Sequence, residues 1–267
     1  MQSLFIKEKM MKKYIFFDID GTLTNLKTGE YVESALETIH KLQEEGHFVA
    51  IATGRAYYKA KEAMKKTGIH HMVCNGGAGL VIDDQLVDNR PLDKDKALLI
   101  IKEARRKGYG VLVACDDSMD VYMKDDLFLQ QVGERKEPTH YIKDEHLSFE
   151  DLPYIYKIYI AIDEKEEDQL ETLDLLGHMR FVKEYLMYQH DEKHLGIKRM
   201  IERVHGKEED VVVFGDGEND MMMFQDSFYK IAMANGYPDL LKKADEITDP
   251  PEKDGIMKAC LRHKWIK

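Results

Sequence analysis

Tyr14-Ile15-Phe16-Phe17-Asp18-Ile19-Asp20-Gly21-Thr22 runs four large apolar residues into two carboxylates spaced one residue apart, then a glycine and a threonine. A short apolar run bounded by turn residues reads as a buried strand. In an open α/β sheet, ligands collect beyond the carboxyl ends of the strands, so this run delivers Asp18 and Asp20 to a candidate site. Strict alternation would point the two side chains to opposite sides. Both can address one ligand only where the chain is already turning, which Gly21 permits. Paired carboxylates suit a hard cation, or a nucleophile with an acid/base partner. The competing reading is a polar strand-to-loop turn. A calcium loop fits poorly, because its required sixth-position glycine and twelfth-position glutamate fall on Leu23 and Gly29.

Outward from this run the pattern repeats. Leu36, Ile39 and Leu42 have helical spacing within 33–45, with Gly46 as a stop. The apolar run 47–52 ends in Thr53-Gly54-Arg55, a helix follows over 56–66, and the short strand 72–74 ends in Asn75-Gly76-Gly77. This is β-α-β-α-β, the signature of a parallel sheet with helical crossovers. The middle of the chain differs. A hairpin is expected through Asp83-Asp84, a helix over 94–107, strands near 109–115, 119–123, 156–162 and 179–185, and a helix capped by Asp163 with Glu166 in the capping-box position. In these strands apolar and polar residues mix, as in an antiparallel sheet with one wet face. The stretch 124–150 carries no clear periodicity. After residue 190 the first style returns: a helix over 194–205, the buried strand 211–214 ending in Gly215-Asp216-Gly217-Glu218-Asn219-Asp220, a methionine-rich helix, a strand at 231–233 and a helix opened by Pro238. The fold class is therefore α/β. A Rossmann-like parallel core with helices on both faces spans 1–80 and 190–267, with an N-terminal extension over 1–12. A mainly antiparallel α/β cap is inserted at 81–189.

The 267 residues are 43% hydrophobic and 33% charged, enough for a sizeable core, and the net charge of -11 argues against a nucleic-acid surface. Cys74, Cys115 and Cys260 have no metal spacing and point to a reducing, cytoplasmic setting. No stretch has the length and apolarity of a membrane helix, and none of the eleven histidines has metal-ligand spacing. Met221–Met223 read as core filler.

Taken in order, Asp18-Ile19-Asp20-Gly21-Thr22, Thr53-Gly54-Arg55, Lys193 and Gly215-Asp216-Gly217-Glu218-Asn219-Asp220 resemble the four motifs of the haloacid dehalogenase-like phosphatase superfamily. The insertion between the second and third resembles the Cof-type (subclass IIB) sugar-phosphatase branch. Asn75-Gly76-Gly77 is similar to that branch's Asn-Gly-Ala, and Met233-Ala234-Asn235 to its Met-Gly-Asn. In the third motif His194 replaces a common glycine. Lys198 competes with Lys193 but falls a turn into the helix, whereas Lys193 opens it.

The resemblance implies a Mg²⁺-dependent phosphatase for a small phosphorylated metabolite such as a sugar phosphate. Asp18 would be the nucleophile and Asp20 the acid/base. Asp18, the Asp20 backbone carbonyl and Asp216 would hold Mg²⁺. Thr53, Gly54, Lys193, Asn75 and Asn219 would bind phosphate or substrate, with Asp220 behind them. Arg55 is assigned packing or a local ion pair, and Tyr122, Arg135, Tyr156 and Tyr188 are the cap residues suited to read the substrate. A phosphomutase, or a metabolite-binding protein without catalysis, could use the same fold. The intact motif carboxylates favour an enzyme. Oligomeric state is not encoded in any feature of the sequence.

Overall fold

Residues 11–267 are described by the structure, a computed structural model. Residues 1–10, most of the expected extension, lie outside them. From its start the chain forms β1 (Tyr14–Phe17), α1 (Glu33–Glu44), β2 (Phe48–Ala52), α2 (Tyr57–Thr67), β3 (Met72–Cys74), β4 (Gly79–Ile82) and β5 (Gln85–Asn89). The middle follows as α3 (Lys94–Arg106), β6 (Val111–Ala114), β7 (Asp120–Met123), α4 (Leu127–Val132), β8 (His140–Lys143), β9 (Lys157–Ile160), β10 (His178–Val182) and β11 (Tyr185–Tyr188). The last part is α5 (Lys193–Arg203), β12 (Val211–Gly215), β13 (Tyr229–Met233), α6 (Pro238–Lys243), β14 (Glu246–Thr248) and α7 (Gly255–Arg262).

Two sheets result. The first has the order β14-β13-β12-β1-β2-β3-β4-β5. It is parallel from β14 to β3 and antiparallel through the β4–β5 hairpin. β1 is buried on both faces because alternate residues serve two cores. Ile15 and Phe17 pack with Ile39 of α1, Ala60 of α2 and Ile256 of α7. Tyr14 and Phe16 pack with Ile197 of α5 and Leu240 of α6. This two-sided burial is why the strands read as unbroken apolar runs. The second sheet, β10-β11-β9-β6-β7-β8, is antiparallel except between β7 and β8. Ile158 and Ile160 pack under α3, while Tyr159 and Met187 face the other side.

Several expectations are corrected. The hairpin at 79–89 continues the first sheet, since Val81 pairs with Met72 and is fully buried. The expected division at residue 80/81 thus cuts through that hairpin, and the change of sheet falls between Asn89 and Val111. After Asp163 the chain winds as a 3₁₀ segment over Glu164–Gln169, with the Asp163 carboxylate accepting from the Lys165 N–H. This segment buries no residue, so no apolar face holds a longer helix. The strand expected near 179–185 is a hairpin, β10 and β11. The methionine-rich stretch makes only a 3₁₀ turn, Glu218–Asp220, with further turns after it; Met223 and Phe224 go into the core and Met222 stays exposed. α4 and β8 fill the stretch that showed no periodicity.

Glu103 fastens α3 to the segment after β9. Its carboxylate accepts from the Glu171 N–H at 2.9 Å, and from the Thr172 N–H and hydroxyl at 2.8 and 2.6 Å. Burial alone would raise this carboxyl, but these bonds and Lys107 outweigh it and hold it at about 2. The folded value lies below the unfolded one, so the contribution is complete above about pH 4.5 and fades as pH falls toward 2. Glu103→Ala is expected to cost about 2–3 kcal/mol at pH 7 in a urea titration, and markedly less at pH 3. An equal cost at both would refute this account.

Candidate active site

Apart from Lys193, which opens α5, the motifs lie just past the carboxyl ends of parallel strands. Asp18 follows β1, Thr53 follows β2, Asn75 follows β3, Asp216 follows β12 and Asn235 lies two residues beyond β13. Register brings the ends level: Phe17 pairs with both Ile51 and Phe214. The Asp18 N–H still donates to the Phe214 carbonyl at 3.0 Å before the chain turns. The turn over Ile19–Leu23 is closed by Gly21 at φ +81°. A Cβ there would lie 2.1 Å from Asp216 Oδ2, so both conformation and space demand glycine.

Three carboxylates converge behind this turn. Asp18, Asp216 and Asp220 are all buried, and each offers an oxygen within 4.8 Å of the others. Lys193 Nζ donates to Asp18 Oδ1 at 2.8 Å and to Asp220 Oδ1 at 2.6 Å. Asp220 Oδ2 accepts from the N–H groups of Asp216 and Gly217, both at 3.0 Å. Asp216 Oδ1 accepts from the Thr22 hydroxyl at 2.9 Å, and Asp216 Oδ2 from Asn235 Nδ2 at 3.3 Å. Lys193 reaches this place because α5 packs tightly on the end of β3. A Cβ on Gly196 would lie 2.4 Å from Val73 Cγ1, and one on Gly76 would lie 1.8 Å from the His190 carbonyl. Lys198, the rival in the sequence, points elsewhere and pairs with Glu208 at 2.9 Å.

One ammonium faces three buried carboxylates. Burial and the Asp220 charge push the Asp18 carboxyl up despite Lys193. The same two causes raise Asp216 to about 7, and Thr22 only partly opposes them. Burial would lower the Lys193 ammonium, but Asp18 and Asp220 together raise it. The cluster therefore favours a further positive charge or bound protons.

Asp20 stands apart from it, with a half-exposed side chain. Its carboxylate takes Arg55 in a forked pair, with Nη2 to Oδ1 at 2.6 Å and Nε to Oδ2 at 3.2 Å. Arg55 is thus the local ion-pair partner anticipated. The Thr53 hydroxyl is buried and accepts from the Arg55 N–H at 3.2 Å. It does not cap α2. That helix's first free N–H groups, on Tyr57 and Tyr58, are received at 2.9 and 2.8 Å by Asp117 of the inserted region. Asn75 is buried and donates to Asn89 Oδ1 at 3.0 Å, whereas Asn219 is exposed.

Between the two sheets lies a cavity of about 580 Å³, whose wall includes Asp18, Asp20, Thr53, Gly54, Asn75 and Asn219. Of the suggested cap residues, Arg135 and Tyr156 line it. Tyr188 is fully buried in the core under α3, and Tyr122 packs against the edge of that same core.

A family profile for haloacid dehalogenase-like hydrolases matches residues 15–260. The chain belongs to this family. YkrA of Bacillus subtilis (strain 168), which carries the provisional name of a phosphatase, is 31% identical, and the alignment covers 97% of this chain and 100% of that one. A second protein of the same organism, 5-amino-6-(5-phospho-D-ribitylamino)uracil phosphatase YitU, is 25% identical, over 91% and 94%. Among solved structures, a Geobacillus kaustophilus HTA426 protein superposes with a TM-score of 0.79 at 25% identity, covering 96% of this chain and all of that one. The subclass IIB sugar phosphatase BT4131 superposes at 0.74 with 23% identity, over 96% and 100%. The α/β core with an inserted cap and the Cof-type resemblance are thereby borne out. No described helix is long and apolar enough to cross a membrane, and all three cysteines are free.

In this hydrolase the residues that sequence reasoning missed came from two sources. Thr22 and Asn235 lie within the motifs, but only the structure shows that both hold Asp216. Tyr58, Lys59, Lys157 and Gln189 line the cavity without any motif around them. Lys193→Ala strands Asp18 and Asp220 in the interior, and is expected to cost roughly 3–5 kcal/mol in a urea titration. Lys198→Ala removes only a half-exposed pair and should cost under about 1 kcal/mol. Equal costs would show that Lys193 does not carry the cluster.

Proposed function

We propose that this hydrolase is a Mg²⁺-dependent phosphatase acting on a phosphate monoester of a small metabolite, through an aspartyl-phosphate on Asp18. The observation that carries the reading is the placement of Asp18. It is buried and oriented by Lys193, it belongs to an acidic cluster, and it opens on the cavity under the cap.

The cluster fits the metal. Its donors are all oxygens, as a hard cation prefers. Both Asp220 oxygens are already engaged, one by Lys193 and the other by two backbone N–H groups. Asp220 therefore positions its neighbours rather than ligating. Asp18 keeps Oδ2 free of any described donor, and Asp216 Oδ2 has only the long Asn235 contact. Asp18, Asp216 and the Asp20 backbone carbonyl would hold the ion. When bound, it would offset the repulsion between the Asp18 carboxylate and a phosphate dianion.

Asp18 attacks phosphorus, and the bond from phosphorus to the ester oxygen breaks. Asp20 gives its proton to the departing oxygen. Water then attacks the aspartyl-phosphate, Asp20 takes a proton from it, and Asp18 and orthophosphate are released. In this arrangement the Asp20 carboxylate is held by Arg55, so its part in the transfer requires that forked pair to open. Lys193, the Thr53 hydroxyl and the backbone after β2 would hold the phosphoryl oxygens. Asn75 and Asn219 would meet the substrate from the cavity wall. The YitU and BT4131 names support a small phosphorylated, sugar-like substrate. A cytoplasmic setting is consistent with three unpaired thiols.

The test is orthophosphate release from a panel of phosphorylated sugars, nucleotides and cofactors, with Mg²⁺, with chelator, and for Asp18→Asn. Release is expected only with Mg²⁺, with kcat falling at least about 10³-fold in the variant. Release that survives Asp18→Asn would remove Asp18 as nucleophile. Folded protein that releases nothing with Mg²⁺ would overturn the phosphatase.

A further inference from the structure

The cap side of the cavity is one face of the inserted sheet. Along β9, Ile158 and Ile160 turn toward α3, so Lys157 and Tyr159 face the cavity, and both line it. Their cross-strand partners line it too: Ala114 opposite Lys157, and Met187 opposite Tyr159. Lys157 is therefore held on a paired strand rather than on a loop.

The charges in this wall are unevenly matched. At the core end, Asp18 is taken by Lys193 and Asp20 by Arg55. At the cap end, Lys59 and Arg135 share the single carboxylate of Glu137. Asp116 is exposed and accepts from the Ser118 hydroxyl at 2.6 Å. Asp117, just beyond, spends both oxygens on the start of α2. Lys157 forms no ion pair or side-chain hydrogen bond with any described residue. The Arg135 guanidinium lies 4.0 Å above the Tyr159 ring, and its buried Nε has no partner. Gln189, 2% exposed in the same wall, has one polar end of its amide unpaired. Burial, with Lys59 close by, lowers the Lys157 ammonium to about 8; Glu137 and Asp117 oppose this only in part, and the amine stays mostly charged at neutral pH. A charged amine set into a cavity with no carboxylate in ion-pair contact is costly unless a ligand supplies one.

We propose that Lys157, with Arg135 beside it, receives a second anionic group of the substrate, so that the preferred class is a hydroxylated metabolite carrying an anion besides the phosphate that is cleaved. The unpaired end of Gln189 and the phenols of Tyr58 and Tyr156 are suited to hydroxyls between the two anions. This rests on the phosphatase reading for which group is cleaved, but not for the binding of the second charge.

Three esters separate the possibilities: glucose 6-phosphate with no second anion, 6-phosphogluconate with a carboxylate, and fructose 1,6-bisphosphate with a second phosphate. The wild type is expected to favour at least one anionic ester over glucose 6-phosphate by tenfold or more in kcat/KM, and the ranking tells carboxylate from phosphate. Lys157→Met should lower kcat/KM for that ester at least tenfold more than for glucose 6-phosphate, chiefly through KM, and Lys157→Arg should keep most of the preference. Equal losses on all three, or a wild type that favours glucose 6-phosphate, would overturn the proposal. A calorimetric arm uses Asp18→Asn protein and needs no turnover. Adding Lys157→Met should weaken binding of the anionic esters at least tenfold, and unchanged binding would overturn the proposal. If no ester releases phosphate, the phosphatase reading fails while this arm still decides the second-anion site.

Discussion

The Lys193 ammonium, shared between Asp18 and Asp220, is the contact on which the site depends. It joins the end of β1, which precedes the inserted region, to the start of α5 and the end of β12, which both follow it. An ammonium taken from water and placed between two carboxylates gains only if all three are held, and its removal leaves both carboxylates buried without their partner. The remaining geometry does the holding. Two backbone N–H groups fix one Asp220 oxygen, Thr22 fixes Asp216, and Gly196 lets α5 come close enough for the lysine to reach.

The same constraint explains how the chain tolerates an insertion of this size. The cap leaves the core after β5 and returns at 190–192, where its backbone crosses Gly76 and Gly77 at contact distance, with the Glu192 N–H donating to the Gly76 carbonyl at 2.6 Å. The returning segment is thus pinned one residue before Lys193. Whatever the inserted sheet does, the lysine enters the core from a fixed point. Cap variation is in this way separated from the placement of the reacting groups.

The legibility of the site followed from this division. Asp18, Asp216 and Asp220 could be read because each sits within a few residues of an unbroken apolar strand, and strand ends converge in a parallel sheet whatever the loops do. Lys193 could be preferred to Lys198 from its position at the helix start. The hairpin at 79–89 was placed in the wrong sheet because its alternation suits either one. Only the pairing of Val81 with Met72, a contact set by tertiary packing, decides between them. Lys157, Gln189 and Lys59 were invisible for a related reason. Each is an isolated polar residue, and its meaning comes from a cavity wall assembled from distant parts of the chain.

Asp117 shows how the two halves communicate. α2 begins without a side-chain cap of its own at Ala56, and the carboxylate that receives its first N–H groups comes from the inserted region. Burial raises this carboxyl, and the two N–H groups pull it back. In the same turn of α2, Lys59 meets Glu137 of the cap. Both contacts are polar. A helix cap is worth about 0.5–2 kcal/mol, and water can replace it when the partner leaves. The first turn of α2 follows directly on Thr53-Gly54-Arg55, so the element that shapes the core end of the cavity is also the element the cap grips. None of the contacts around Lys193 passes through the cap, so the core cluster does not depend on these bonds.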